Sequence, residues 1–137
     1  MIGAVIVTHG ALARELLDAA ERIVGRTESI RAVAMDWDDD VADARQQIGA
    51  AIDEVDGGRG VLIFTDMFGG TPTNVSLAFL DKDKVEIITG VNLPMIIKLT
   101  SVQNSEGSLL EVAQELRERG QNSIYVASEI LSSREEA

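Results

Sequence analysis

The stretch AVIVTHGALA, residues 4–13, holds the reading of the fold. Residues 2–7, IGAVIV, form a short apolar run rich in β-branched side chains, which predicts a buried strand. The period then changes at Gly10. Over residues 11–24, Leu12, Leu16, Ala19 and Ile23 fall on one helical face, and Gly25 supplies a stop. A buried strand running through a glycine turn into an amphipathic helix is the unit from which open α/β sheets are built. At that turn stands His9, the only histidine in the chain.

The same unit repeats along the sequence. IRAVAM (30–35) predicts a second strand, and DDD (38–40) offers N-caps to a helix carrying Val41, Ala44, Ile48, Ile52 and Val55, ended by Gly57 and Gly58. GVLIFT (60–65) predicts the third and most apolar strand. Thr71 and Pro72 then stand as N-cap and first residue of a helix to about residue 80. KVEIIT (84–89) predicts a fourth strand, and Pro94 opens a helix to about residue 102. SLLE (108–111) has the capping-box pattern before a last helix ending at Gly120, and SIYVAS (123–128) alternates as a fifth strand would. Strands alternating with helices imply a mainly parallel sheet covered on both faces and joined by right-handed crossovers. At 137 residues, a single α/β domain (1–137) is expected, with an open sheet in the order 2-1-3-4.

Composition narrows the function. Twelve basic residues stand against 23 acidic ones, a net charge of −11, so a phosphate backbone is repelled and nucleic acid is disfavoured as a partner. A basic protein partner is attracted, although plain solubility accounts for the charge equally. The acidic clusters DWDDD (36–40) and REEA (134–137) are short; the first reads as a helix cap and solvated face. No apolar stretch reaches the roughly 18 residues of a membrane span. IGAVIV lacks the basic flank of a signal peptide. The chain has no cysteine, which removes disulfide and thiolate chemistry and fits a cytoplasmic protein. With one histidine and no cysteine, no metal site or other cofactor is expected, a carboxylate-only Mg²⁺ site at DWDDD being the alternative to its reading as a helix cap.

Ligands of open α/β sheets sit beyond the carboxyl ends of the strands, where strand order reverses. In the order 2-1-3-4 that point lies between the first and third strands, and it brings together His9 and Asp66, with GVN (90–92) on the same edge. A carboxylate that accepts from one imidazole N–H fixes the tautomer, leaves the other nitrogen free to attack and stabilises the charge formed on attack. The bland alternative is that Asp66 caps its loop and His9 fills a turn. DMFGGTP (66–72) adds Gly69 and Gly70, which let backbone approach a ligand, and a helix start whose N–H groups suit a phosphate. A tight turn also explains two adjacent glycines. The loop has neither the Gly-Lys-Ser/Thr of a Walker A motif nor the spacing of a dinucleotide fingerprint. Met67 and Phe68 fit either a core or the mouth of the site. Trp37, just after the second strand, reads as a partly buried packing residue that could line the same rim.

Three motifs in order carry a family resemblance. VIVTHG with His9, LIFTDMFGGTPTNVS (62–76) and ITGVNLPMI (88–96) resemble the signatures of the IIA component of the mannose-type sugar phosphotransferase system, over essentially the full chain. The resemblance implies a cytoplasmic phosphohistidine carrier that accepts phosphate from the small carrier HPr, passes it to a IIB component and forms a homodimer. It implies phosphorylation of His9 at Nε2 with Asp66 as its hydrogen-bonded orienter, and phosphate or partner contacts from Thr8, Gly10, Phe68, Gly69, Gly70, Thr71 and Asn92. Phe68 stands where some members have Trp, Thr71 where some have Ser, and Met67 where the residue can be polar. The expectation is a free-standing IIA, with the fifth strand exchanged between two subunits. Three other roles remain open: phosphate donor to a dihydroxyacetone kinase, regulatory phospho-switch, and non-catalytic module holding a phosphorylated ligand at FGGTP.

Overall fold

The computed structural model describes the chain except Asp39 and Ala137; the side chains of residues 133–136 are also outside the description. The element order is β1 (Gly3–His9), α1 (Leu12–Val24), β2 (Ile30–Met35), α2 (Val41–Val55), β3 (Val61–Thr65), α3 (Thr71–Ser76) with a 3₁₀ turn at Leu77–Phe79, β4 (Val85–Thr89), α4 (Leu93–Val102), α5 (Leu109–Asn122) and α6 (Ala127–Glu136). The four strands form one parallel sheet in the order β2-β1-β3-β4. No described helix is long and apolar enough to cross a membrane.

Alternation along each central strand divides the core into two layers. Ala4 and Ile6 of β1, with Leu62 and Phe64 of β3, face α1, α4 and α5, where Ile96, Leu99, Val112 and Leu116 are buried. Val5 and Val7, with Val61 and Ile63, face α2 and α3, where Ile48, Ile52 and Val75 are buried. Each fully buried side chain of this size contributes about 1.5–3 kcal/mol. The two layers therefore hold β1 and β3 rigidly, and the site hangs from their carboxyl ends. Gly3 fits because backbone lies against it: a Cβ there would stand 2.2 Å from the Val55 carbonyl oxygen.

Helix ends follow local chemistry. Asp40 caps α2 by accepting from the Ala42 N–H at 3.1 Å; of the other two acidic candidates, Asp39 lies outside the described residues. Ser108 and Glu111 complete the capping box of α5, which runs two residues past the expected stop at Gly120. α3 starts one residue earlier than expected, because extended Gly70 is its N-cap and Thr71 its first helical residue. Pro72 is still tolerated there, since a first-turn N–H has no partner within the helix.

Two expectations are corrected. The inward face of α1 is Ala13 and Ala20 with half-buried Leu16 and Leu17, whereas Leu12 and Ile23 are exposed. Both stripes have helical spacing. The Thr8 hydroxyl oxygen accepts from the Ala13 N–H at 2.7 Å at the start of the helix, and the two alanines sit buried in the core layer against the sheet. The fifth strand does not form in the single chain. Residues 124–126 have no regular structure, and α6 begins at Ala127. A strand needs a ladder partner, and the described sheet ends at β4 and β2 without one for this segment. The acidic cluster 134–137 lies where side chains are not described.

Candidate active site

Parallel pairing places His9 of β1 opposite Met35 of β2, and Val7 of β1 opposite Thr65 of β3. His9 and Asp66 therefore leave adjacent strands at the same edge. The turn after His9 is closed by the Gly10 N–H donating to the Met35 carbonyl at 2.8 Å, with Gly10 at φ +57°. That left-handed geometry favours glycine.

The imidazole Nδ1 stands 2.7 Å from Asp66 Oδ2, which also accepts the His9 backbone N–H at 3.0 Å. Asp66 Oδ1 accepts the Met67 N–H at 3.0 Å. A carboxylate only accepts, so Nδ1 carries the proton and Nε2 presents its lone pair. Among the described residues, Nε2 makes no hydrogen bond. Burial pushes the Asp66 carboxyl up. The bond from the imidazole, the bond from the His9 backbone, the positive charge the ring carries when protonated and the Met67 N–H outweigh burial and hold it below its ordinary value.

Gly70 guards the free nitrogen by what it lacks. A Cβ built there would stand 2.7 Å from His9 Cε1 and 3.2 Å from Nε2. Gly70 itself has φ −85°, so the glycine is required by the ring and not by the backbone. Gly69 has φ +88° and turns the loop. Buried threonines brace that loop. Thr73 Oγ1 donates to the Met67 carbonyl at 2.6 Å and lies 2.6 Å from Thr65 Oγ1, so with one hydroxyl proton already committed, Thr65 donates to Thr73. The Thr65 carbonyl accepts from both Gly90 and Val91, tying the end of β4 to the same place.

The remaining predicted residues divide between the site and its scaffold. Phe68 is 76% exposed and Met67 more than half exposed, so neither belongs to the core. Thr71 is exposed at the first turn of α3. Thr8 is fully buried and starts α1. Asn92 caps α4 by accepting from the Met95 N–H and donates to the Gly120 carbonyl at 3.0 Å, so these bonds tie α4 to α5.

Sequence reading missed two contributors, and for a third, Trp37, it favoured packing over the rim position it also allowed. Thr65 and Thr73 look like ordinary strand and helix residues until the two elements are packed together. Trp37 is 82% exposed, not a packing residue, and its ring stacks on His9 with centroids 4.9 Å apart and planes 26° apart. The available signal was its place two residues beyond Met35, the register partner of His9. Among the described residues, no three His, Asp or Glu side chains converge as metal ligands.

Residues 3–116 match the family model described as EIIA-man, PTS system fructose IIA component. The chain belongs to this family. It is 30% identical over 124 residues, 90% of its length, to the mannose-specific EIIAB component of the phosphotransferase system (PTS) of Escherichia coli, of which it spans 38%. It is 27% identical to the fructose-specific EIIA component of Bacillus subtilis, with 96% of this chain and 90% of that one aligned. Among solved structures, the PTS IIA protein associated with the fucose utilization operon of Streptococcus pneumoniae superposes with a TM-score of 0.82 at 30% identity, covering 95% of this chain and 96% of that one. The chain is thus a phosphotransferase-system IIA of the mannose and fructose type.

Proposed function

We propose that this IIA is a cytoplasmic phosphohistidine carrier, accepting phosphate from phospho-HPr on His9 Nε2 and passing it to a IIB component of a sugar phosphotransferase system. The supporting observation is the short Nδ1–Asp66 contact with Nε2 left open beside Gly70.

The step balances without a proton donor. The Nε2 lone pair attacks phosphorus as the bond from phosphorus to the donor's nitrogen breaks, and that bond's electron pair returns to the donor ring. The Nδ1 proton stays on its bond to Asp66. The His9 ring becomes a phosphoimidazolium, and Asp66 faces its positive charge. Transfer to IIB repeats the step in reverse with a different partner. Phosphoryl transfer passes through a loose transition state, so alignment and charge stabilisation supply most of the catalysis. Exposed Phe68 and Met67 offer apolar contact to a partner that brings the second nitrogen into line.

The homodimer belongs to the same reading. Ile124, Tyr125 and Val126 are exposed in a segment without regular structure. Along the free edge of β4 runs a groove of about 380 Å³ lined by Phe68, Leu77, Leu80, Ile87 and Leu110. A second copy's 124–126 segment has the apolar character to fill it, and a two-fold exchange would satisfy both copies at once.

Incubation with phosphoenolpyruvate, enzyme I and HPr, followed by mass spectrometry, tests the carrier. One acid-labile, alkali-stable phosphate is expected on the wild type and none on His9→Ala, with unchanged circular dichroism. Uptake by His9→Ala would overturn the assignment. Failure of every candidate IIB to discharge the phosphoprotein would overturn the transfer role.

A further inference from the structure

The stack of Trp37 on His9 has no packing explanation. The indole is mostly in water, outside both core layers, and the ring it touches is the reacting one. The imidazole is approached from three directions. Asp66 lies in its plane at Nδ1, Gly70 lies by the Cε1–Nε2 edge, and Trp37 covers a face. Only the third contact leaves both nitrogens untouched. An indole face carries negative electrostatic potential and attracts a cation held over it, an effect strongest for Trp among the aromatics.

We propose that Trp37 is a positioning residue of the phosphoryl site, holding the His9 ring by its face and stabilising the cationic phosphoimidazolium more than the neutral imidazole. This role rests on the carrier reading. It gives the site a source of charge stabilisation that does not compete with the incoming phosphoryl group for Nε2. It also shifts the phosphoryl equilibrium toward His9, because the contact strengthens only when the ring becomes positive. A cation–π contact at an exposed position is worth about 0.5–1 kcal/mol, which corresponds to roughly two- to six-fold in that equilibrium.

The test uses full-length wild type, Trp37→Phe and Trp37→Leu, each equilibrated with a fixed ratio of phospho-HPr to HPr. Removing an exposed side chain leaves the core intact, and circular dichroism checks this. The phosphorylated-to-free ratio should fall about two- to six-fold in Trp37→Leu, with Trp37→Phe in between. Trp37 is the only tryptophan, so its emission reports the contact directly. Emission of the wild type should change on phosphorylation, and that of His9→Gln under the same mixture should not. A Trp37→Leu ratio equal to the wild type overturns the role, as does Trp37→Phe behaving like Trp37→Leu, or wild-type emission blind to phosphorylation. Wild type that takes up no phosphate overturns the carrier reading and this role with it. Normal uptake with no effect of Trp37 overturns the role alone.

Discussion

One oxygen, Asp66 Oδ2, binds His9 twice: the imidazole Nδ1 at 2.7 Å and the backbone N–H at 3.0 Å. The carboxylate therefore fixes both the tautomer of the ring and the strand end from which the ring projects. Asp66→Asn keeps the shape but loses the anion, and its amide N–H₂ invites the wrong tautomer by donating to Nδ1. The corresponding change in a serine-protease triad costs about 10⁴-fold. This site is partly open to water, so a loss of about 10²- to 10³-fold in phosphoryl transfer is expected. Rapid-quench transfer from phospho-HPr measures it, and a wild-type rate would refute the pairing.

The same bonds predict a pH dependence of stability. The folded Asp66 carboxyl lies below its unfolded value, so its ionised form stabilises the fold above the unfolded value of about 4. That contribution disappears as pH falls through the lower, folded value. Asp66→Asn should therefore be less stable than wild type at pH 7, by roughly 1–3 kcal/mol for a lost charged hydrogen-bond acceptor. The difference should shrink in the acid limb. Urea midpoints at pH 7 and pH 3 test this; a difference that grows on acidification contradicts it.

Gly70→Ala separates the site from the fold. The backbone at φ −85° accepts alanine, but the new Cβ would meet His9 Cε1 at 2.7 Å. The ring must move, and with it Nε2 and the bond to Asp66. Phosphoryl uptake should drop at least ten-fold, a misplacement effect. Stability should fall by only about 1 kcal/mol, the cost of alanine at a helix N-cap. Uptake kinetics and thermal melts of the one variant decide the point, and unimpaired uptake would show that the ring has room.

Ending the chain after Ser123 removes Ile124, Tyr125, Val126 and α6 while leaving α5 whole. The truncated chain should sediment as a monomer or aggregate through the uncovered β4 edge, whereas the full chain sediments as a dimer. Sedimentation equilibrium on both compares them directly. A full-length protein that stays monomeric at high micromolar concentration would dispose of the exchange, leaving the chemistry of His9 untouched.

Gly3→Ala should be the most damaging small substitution, because the Cβ would meet the Val55 carbonyl 2.2 Å away and backbone cannot yield as a side-chain tip can. Overpacking of this kind costs about 1–3 kcal/mol or more. Chemical denaturation measures the loss; a midpoint within error of wild type would show that α2 shifts freely from β1.

Local pattern by itself determined the order of elements as far as α5, the parallel sheet and the placement of His9 and Asp66. Each rests on a signal contained within ten or so residues: an apolar run, a change of period at Gly10, a capping box at Ser108 and Glu111, or strands whose ends must share an edge. The tertiary structure decided what depends on two distant segments meeting. Residues 11–24 carry two overlapping stripes, and packing against the sheet chose Ala13 and Ala20 over Leu12 and Ile23. The structural bonds of Thr8 and Asn92, accepting the N–H groups of Ala13 and Met95 at the starts of α1 and α4, likewise emerged only once those helices were in place. Thr65 and Thr73 became one brace only when β3 and α3 packed. Residues 123–128 alternate like a strand, yet a strand is a relation between two chain segments, and within one chain this segment has no edge to join. Trp37 reached the imidazole because β2 lies beside β1, a neighbourhood that the register of Met35 with His9 creates and that no window of sequence around Trp37 contains.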